Sequence, residues 1–189
     1  MRAVRAVIVA ALGAAALCAC SSSDDPAASP TAADGPSKMK LTSAAFADGE
    51  PIPAEFTCSG ASLSPPLQWS EPPAGTQSFA LVMDDPDAPK GTFRHWGVYD
   101  IPMNTRQINR GAGEVGARAL MQAVNDFGHA GYGAPCPPPG DKPHHYRFRL
   151  LALDVERLSA APEKVADILG QTDHHVLGSA ELTGLYGRD

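Results

Sequence analysis

Proline and glycine recur throughout this chain and divide it into short segments. Of its 189 residues, 18 are glycine and 18 are proline, and both types favour turns and interrupt helices. This composition predicts many turns and disfavours a helical bundle. Because 43% of the residues are hydrophobic and 19% are charged, the chain can still bury a core, which excludes wholesale disorder. Its length suits one ordinary domain or two very small ones.

The net negative charge of the chain disfavours one class of partner, nucleic acids. The formal net charge is −6 and the sequence pI is about 5.4. A nucleic-acid-binding protein needs a basic face that neutralises phosphates, so we expect no nucleic-acid partner. A small local anion site is compatible with this net charge.

The N-terminal residues have the features of an export signal. Arg2 and Arg5 precede the apolar run 6–17, which ends in the sequence Leu-Cys-Ala-Cys at Cys20. As a helix this run would rise only about 18 Å, well short of a hydrocarbon core of about 30 Å. The ending resembles a bacterial lipobox, in which the last cysteine is lipidated. We therefore predict a lipoprotein signal peptide over 1–19 and lipidation of Cys20; an ordinary secretory signal with chance cysteines is the alternative.

The segment 20–38 has the composition of a flexible tether. Between Ser21 and Lys38 it consists of serine, aspartate, proline, alanine, threonine and glycine, with no large apolar residue. Such a segment cannot offset its ordering entropy by burial. We predict that it holds a domain, residues 39–189, off a membrane surface. The predicted location is therefore the bacterial cell envelope, where the exported protein is lipid-anchored.

Short apolar runs flanked by turn residues predict strands in this domain. Such runs occupy 78–83 and 95–101, and each is followed by a turn that contains proline. The alternation of side chains over 146–153 indicates a third strand, and 182–186 is interpreted as a short closing strand. The loops between them are rich in proline, which suits an antiparallel arrangement.

Helix is predicted only near the C-terminus. Pro162 and Glu163 open a segment with apolar residues on one side, and Gly170 is predicted to end it. A second short helix is predicted over about 172–180. The sequence thus predicts a mostly β domain with an antiparallel sheet and short C-terminal helices.

Polar clusters adjoin three of these strands. They are the acidic loop 84–89, the tripeptide Arg94-His95-Trp96, and the Gly/Pro-rich loop 131–146. Because strand side chains alternate, His144 and Tyr146 share a face and His145 points the other way. A solvated acidic turn and a packed core histidine are the alternative interpretations of the first two clusters.

Taken together, the three clusters resemble the phosphatidylethanolamine-binding protein (PEBP) family, in its bacterial Raf-kinase-inhibitor-like branch (YbhB/YbcL type). The family's Asp-Pro-Asp-x-Pro signature is matched at 85–89, and its histidine in the following strand at His95. Its Gly/Pro-rich loop ending in His-x-Tyr is matched at His144 and Tyr146. Each motif is moderately specific, but all three in this order and at these spacings are highly so. The resemblance covers nearly all of the predicted domain.

The resemblance implies a compact antiparallel β fold with a small pocket for phosphate-like anions or phospholipid head groups. The residues that it assigns to the pocket are Asp85, Asp87, His95, His144 and Tyr146, with backbone around Gly133. It also favours a disulfide between Cys58 and Cys136. From the sequence alone, those two cysteines could pair in an exported protein or remain separate thiols.

The residue types of this pocket suggest how it would hold an anion. Carboxylates repel phosphate, so Asp85 and Asp87 are expected to accept imidazole N–H groups and favour charged histidines. His95 and His144 would then donate to the anion, together with Tyr146 and loop amides. After binding costs, three or four such bonds predict only modest affinity.

Three alternatives have weaker support. No zinc-type spacing accompanies His95, His144 or the His174-His175 pair, so no metal is predicted. A hydrolase or acid–base enzyme would have to use the Asp/His/Tyr pocket, because no Gly-x-Ser-x-Gly elbow or P-loop is present. A secreted protein-interaction or inhibitor module is the third alternative. We therefore predict a binding protein rather than an enzyme, without a cofactor, and leave open a protein partner of unidentified nature.

Overall fold

The computed structural model describes residues 39–189. The predicted signal peptide over 1–19, the lipidation site Cys20 and the tether up to residue 38 lie outside the described residues. In chain order the elements are strands β1 (Leu41–Thr42), β2 (Leu67–Trp69), β3 (Ser78–Asp85), β4 (Phe93–Pro102), β5 (Gln107–Ile108), β6 (Met121–Gln122) and β7 (His144–Leu153), helix α1 (Val165–Thr172) and strand β8 (Val176–Tyr186). A short 3-10 helix occupies Ala54–Phe56.

Two antiparallel sheets organise the domain. The smaller sheet has the order β1-β2-β5, and the larger has the order β6-β4-β3-β7-β8. In the larger sheet, β7 pairs with β3 on one side and with β8 on the other. The β3–β7 register places Ser78 opposite Leu153 and Asp84 opposite Arg147. The acidic end of β3 therefore lies beside the start of β7.

Strand β3 lies at the centre of the core. All eight of its residues are buried, because strands flank both its edges and apolar clusters cover both its faces. Leu81 and Met83 belong to one cluster, and Val82 belongs to the other, which α1 covers. A β-carbon on Gly97 of β4 would lie 2.7 Å from Val165 Cγ2 of α1. Glycine at this position thus lets the helix approach the sheet.

The mostly β, antiparallel fold class is confirmed. The strands predicted over 78–83, 95–101, 146–153 and 182–186 fall within β3, β4, β7 and β8 respectively. Each run is apolar on at least one face and ends near a turn. The periodicity of apolar residues and the positions of turn-forming residues were therefore sufficient to predict the long strands.

Helix α1 extends beyond its predicted end. Gly170 lies inside α1, which continues to Thr172. The buried Thr172 hydroxyl donates to the carbonyl oxygen of Ile168 at 2.9 Å, and this bond supports a further turn. Within residues 39–189, no helix is long and apolar enough to cross a lipid bilayer.

The second C-terminal helix, predicted over about 172–180, is wrong. Its last five residues form the start of β8, where Val176 lies opposite Leu153 and Ala180 lies opposite Leu150. The long strand β7 needs a partner along this edge, and the backbone hydrogen bonds of that pairing outweigh local helix preference.

The Gly/Pro-rich loop before β7 is held from two sides. The predicted disulfide between Cys58 and Cys136 is confirmed, and the N–H of Cys58 donates to the carbonyl oxygen of Pro135 at 3.0 Å. From the C-terminal end, Arg188 Nε donates to the carbonyl oxygen of Pro137 at 2.7 Å. These contacts position the loop over the end of the larger sheet.

Candidate anion-binding site

The site forms where β3 ends beside the start of β7. Because strand side chains alternate, the consecutive residues Asp84 and Asp85 point to opposite faces of the sheet. Asp85 contacts His144 on the face that also carries Tyr146, whereas Asp84 contacts Arg147 on the other face. Only one of the two neighbouring carboxylates is therefore available to the site.

Asp85 holds the imidazole of His144 in one orientation. Its Oδ2 lies 2.8 Å from His144 Nδ1, and its Oδ1 accepts the backbone N–H of Asp87 at 2.9 Å. The side chains of His144 and Asp85 are only 6% and 4% exposed. Because a carboxylate accepts, Nδ1 carries the proton and Nε2 is left for other partners. Nε2 lies 3.7 Å from Oδ2 of Asp141, whose side chain is about half exposed.

His95 is fixed by the backbone of the Gly/Pro-rich loop. Its Nδ1 donates to the carbonyl oxygen of Gly133 at 2.8 Å, and the N–H of Gly133 donates to the carbonyl oxygen of His95 at 2.8 Å. Burial lowers the pKa of His95, although the bond to Gly133 and the charge of Asp85 oppose this shift. The neutral ring therefore presents a lone pair on Nε2. The direction of this shift runs against the expectation of a charged His95 that donates to an anion.

Tyr146 carries a buried hydroxyl with no partner. The residue is fully buried, and within the described part of the chain its hydroxyl makes no hydrogen bond. Burial and the negative charge of Asp85 raise the pKa of Tyr146, so the hydroxyl stays protonated and able to donate. A buried polar group without a partner costs about 1–3 kcal/mol. A ligand that accepts from this hydroxyl would recover part of that free energy.

These side chains line one cavity of about 210 Å³. Its polar lining is Asp85, His95, His144 and Tyr146, and its apolar walls are Ala88, Pro89, Phe93, Phe127, Cys136, Pro137 and Pro138. The ring of His95 lies edge-on to Tyr146 and Phe127, with centroids 5.2 and 5.3 Å apart. Apolar walls around a few convergent polar groups are typical of small-molecule sites.

Two of the sequence-predicted pocket residues do not line this cavity. Asp87 accepts from the backbone N–H and the Nδ1 of His145, at 2.8 and 2.7 Å, and these bonds lower the pKa of Asp87. It therefore orients a surface histidine, not one of the cavity. Gly133 does not line the cavity either, and its N–H is bonded to the carbonyl oxygen of His95. A β-carbon on Gly133 would lie 2.5 Å from Phe127 Cδ2, so this glycine makes room for an aromatic ring.

Two aromatic wall residues, Phe93 and Phe127, were not predicted from the sequence. The buried Asn125 fixes Phe127 in place: Asn125 Oδ1 accepts the N–H of Phe127 at 3.0 Å, and Asn125 Nδ2 donates to the carbonyl oxygen of Gly131 at 3.0 Å. Nothing in the sequence near Phe127 indicates which cavity this phenylalanine would line.

The histidines near the C-terminus are remote from the cavity. His175 Nδ1 lies 2.8 Å from Oδ1 of Asp154, which directly follows β7, whereas His144 begins that strand. A strand of ten residues extends for about 30 Å, so His175 cannot join His144 in one site. Across residues 39–189, no group of three potential metal-ligating side chains lies together.

A comparison with known protein families shows which family the chain belongs to. A family model described as phosphatidylethanolamine-binding protein matches residues 42–187, which is almost all of the described domain. This chain belongs to the PEBP family. The resemblance inferred from the acidic loop, His95 and the His-x-Tyr motif is therefore confirmed.

Curated relatives of this PEBP-family chain carry names without an activity. A UPF0098 protein from Aquifex aeolicus is 45% identical over 153 residues, covering 80% of this chain and 90% of that protein. The UPF0098 protein YbcL from Escherichia coli is 40% identical over 137 residues, covering 69% of this chain and 75% of YbcL.

Solved PEBP structures share the fold. A crystal structure of CT736 from Chlamydia trachomatis, described as a putative PEBP homologue, matches with a TM-score of 0.72 and 37% identity over 80% of this chain and 99% of CT736. The crystal structure of E. coli YbcL, described as a new member of the mammalian PEBP family, matches with a TM-score of 0.74 and 34% identity over the same shares.

Proposed function

We propose that this PEBP-family protein binds a phosphate-type oxyanion in the cavity between β3, β4 and β7. The observation that carries the proposal is the buried, unpartnered hydroxyl of Tyr146, which lines the cavity beside the Asp85–His144 pair. Proteins rarely leave such a donor buried without a partner. A ligand oxygen would supply an acceptor at hydrogen-bond distance, which the neighbouring Asp85 carboxylate does not.

The polar groups of the cavity make different hydrogen bonds to the ligand. Tyr146 donates its O–H to one oxyanion oxygen. His144, when protonated on both nitrogens, donates from Nε2 to another, while its Nδ1–H stays on Asp85. The lone pair of neutral His95 accepts from a proton-bearing group of the ligand, such as the hydroxyl of monohydrogen phosphate or the ammonium group of ethanolamine. Two donors and one acceptor predict a Kd in the micromolar to millimolar range.

Titration calorimetry with inorganic phosphate and with phosphoethanolamine tests this proposal. We expect saturable binding of both, about tenfold weaker in Tyr146→Phe, which loses one hydrogen bond to a charged group. Tyr99→Phe is the matched control, because Tyr99 is buried in the other core cluster and should leave binding unchanged. Absence of saturable binding, or equal affinity in Tyr146→Phe and the wild type, would contradict the proposal.

The same titrations separate a binding protein from an enzyme and report on protonation. Phosphoethanolamine should be recovered intact after prolonged incubation, whereas release of phosphate would indicate a hydrolase. Affinity should be higher at pH 5.5 than at pH 8.5, because the doubly protonated ring of His144 gains a donor on Nε2 while its Nδ1–H stays on Asp85. Equal affinity at both pH values would contradict a charged donor at His144.

We also propose that the domain is displayed on a bacterial membrane. The support is in the sequence: two arginines, a short apolar run and the Leu-Cys-Ala-Cys ending before a tether without large apolar residues. Expression in a bacterial host, followed by membrane fractionation and mass spectrometry of the N-terminal peptide, should find a lipidated Cys20. Cys20→Ser should move the protein from the membrane to the soluble fraction. An unchanged distribution would refute the anchor.

A further inference from the structure

The disulfide between Cys58 and Cys136 lies at the edge of the anion cavity. Cys136 lines the cavity and also an open groove of about 500 Å³ beside it, and Cys58 lines the groove. Cys136 is exposed and Cys58 is half-buried. Exposed disulfides are more readily reduced than those enclosed in a core, and they include the regulatory ones. A thiol in solution can therefore reach this bond.

The segment that carries Cys136 has few other attachments. Every residue of 135–139 except Cys136 is proline, so the segment has one backbone N–H and cannot form a ladder of backbone hydrogen bonds. Within residues 39–189, two hydrogen bonds from distant segments reach its carbonyl oxygens. The N–H of the disulfide partner donates to Pro135 at 3.0 Å, and Arg188 Nε donates to Pro137 at 2.7 Å. The disulfide is thus a main constraint on this segment.

The same segment forms part of the cavity wall. Cys136, Pro137 and Pro138 line the cavity beside its polar groups. Burial and the negative charge of Asp85 raise the pKa of Tyr146, and the backbone N–H of Cys136 partly opposes that shift. Cys136 therefore lies close to the hydroxyl on which the proposed anion site depends.

The polar groups of the cavity are held without the disulfide. His144 is oriented by Asp85, and His95 is bonded to the carbonyl oxygen of Gly133, which precedes the proline-rich segment. Opening the disulfide would loosen one wall and leave these groups in place. A rigid wall favours binding, because less conformational entropy is lost when the ligand binds. A loosened wall should weaken binding without abolishing it.

We propose that the Cys58–Cys136 disulfide is a redox switch for the anion cavity, and that its reduction weakens anion binding by the folded protein. This inference rests on the proposed function, because the cavity must first bind the anion. The alternative is a disulfide that serves only to stabilise the fold. That role predicts either equal affinities in the two redox forms or unfolding on reduction.

The switch reaction is a thiol–disulfide exchange with a dithiol. One thiolate of the dithiol attacks Sγ of Cys136, the more exposed partner, while the S–S bond breaks and Cys58 leaves as a thiolate that takes up a proton. The second thiolate of the reductant attacks the mixed disulfide and releases Cys136 as a thiol. The dithiol is thereby oxidised to a disulfide, and its two electrons and two protons are transferred to the two cysteines. Disulfides persist in the proposed cell-envelope location, so the oxidised, tighter-binding form is the resting state.

Calorimetry with inorganic phosphate before and after reduction tests the proposal. The protein is reduced with dithiothreitol, which is then removed in the absence of oxygen, and circular dichroism checks that the fold is retained. We expect the reduced protein to bind phosphate about tenfold more weakly, and reoxidation to restore the affinity. The control is the double variant Cys58→Ser/Cys136→Ser. It should bind phosphate like the reduced protein and show no response to dithiothreitol.

The reduction potential of the disulfide gives a second readout. If phosphate binds the oxidised form about tenfold more tightly, saturating phosphate must favour the disulfide over the dithiol by the same factor. For a two-electron couple, this factor makes the potential about 30 mV more negative. Equilibration in a dithiothreitol redox buffer measures the shift, with sodium chloride at the same ionic strength as the control.

The outcomes separate this inference from the proposed function. If the oxidised protein binds no phosphate, the proposed function itself is wrong. If both redox forms bind phosphate equally and phosphate leaves the potential unchanged, the switch is overturned and the anion cavity stands. A reduced protein that unfolds, or a double variant whose affinity falls in dithiothreitol, would overturn the switch as well.

Discussion

Two consecutive carboxylates at the end of β3 have opposite surroundings. On one face of the sheet, both oxygens of the buried Asp84 are bonded to guanidinium groups: Oδ1 lies 2.9 Å from Nη2 of Arg147, and Oδ2 accepts from Arg149. On the other face, Asp85 holds a single imidazole, that of His144, beside the unpartnered hydroxyl of Tyr146.

The difference separates a structural ion pair from a site prepared for a ligand. Around Asp84 the carboxylate has all the partners it needs, and the pairing ties β3 to β7. Around Asp85 the hydrogen bonds of the cavity are incomplete until a ligand supplies an acceptor. Changes at Asp84 should therefore affect stability, whereas changes at Asp85 should affect binding.

The largest effect is expected from Asp84→Asn, which leaves two guanidinium groups facing a neutral amide. Removing one partner of a buried ion pair costs about 3–5 kcal/mol. Because the arginine side chains are 35% and 29% exposed, we expect a smaller loss of about 2–3 kcal/mol. Urea denaturation measures this loss, and phosphate affinity of the folded variant should be unchanged. A variant as stable as the wild type would remove the structural half of the comparison.

Asp85→Asn should reduce phosphate affinity more than it reduces stability. The neutral amide no longer fixes the tautomer and charge of the His144 ring, so phosphate affinity should fall about tenfold while stability falls by about 1–2 kcal/mol. Titration calorimetry and urea denaturation give the two values. Asp87→Asn is the control, since Asp87 bonds His145 outside the cavity, and it should bind phosphate normally. Equal affinities in the two variants would argue against a special role for Asp85.

Acid should destabilise the protein partly through His95. Burial lowers the pKa of His95 below its ordinary value of about 6.5, so the unfolded chain takes up a proton more readily than the folded protein. Stability contributed by the neutral ring is present above about pH 6.5 and is lost as the pH falls toward the lowered pKa. The loss of unfolding free energy between pH 7.5 and 5 should be smaller in His95→Gln than in the wild type. An identical loss in both would contradict the buried, neutral ring.

A small gain in affinity is expected from Asp141→Asn. The Asp141 carboxylate lies 3.7 Å from Nε2 of His144, where it competes with an incoming anion. Removing such a half-exposed charge should strengthen phosphate binding about two- to threefold. Asp154 is similarly exposed and pairs with His175, so Asp154→Asn is the control and should have no effect. Weaker binding in Asp141→Asn would mean that this carboxylate supports the site.

Much of this arrangement could be predicted from the sequence. Turn residues located the long strands, and strand alternation placed His144 and Tyr146 on one face with His145 on the other, as the structure shows. The family motifs also predicted that Asp85 and His144, which are distant in sequence, share one site. The structure places them together because the β3–β7 pairing sets Asp84 beside Arg147 and thus Asp85 near His144.

What could not be predicted depends on contacts between distant segments. The motif does not say that Asp87 bonds His145, because that requires the exact course of two loops. The neutral state of His95 depends on burial by Phe127 and other walls that come from separate parts of the chain. The second C-terminal helix was wrongly predicted for the same reason: residues 176–180 pair with β7, which is not their neighbour in sequence.

The most direct test of the central claim is ¹⁵N NMR of the histidine side chains during a titration with phosphoethanolamine. The cavity account predicts saturable shifts of the Nε2 resonances of His95 and His144. His145 and His175, which bond carboxylates away from the cavity, should not move. Saturable shifts at His145 or His175 with none at His95 and His144, or no shifts at any of the four, would contradict it.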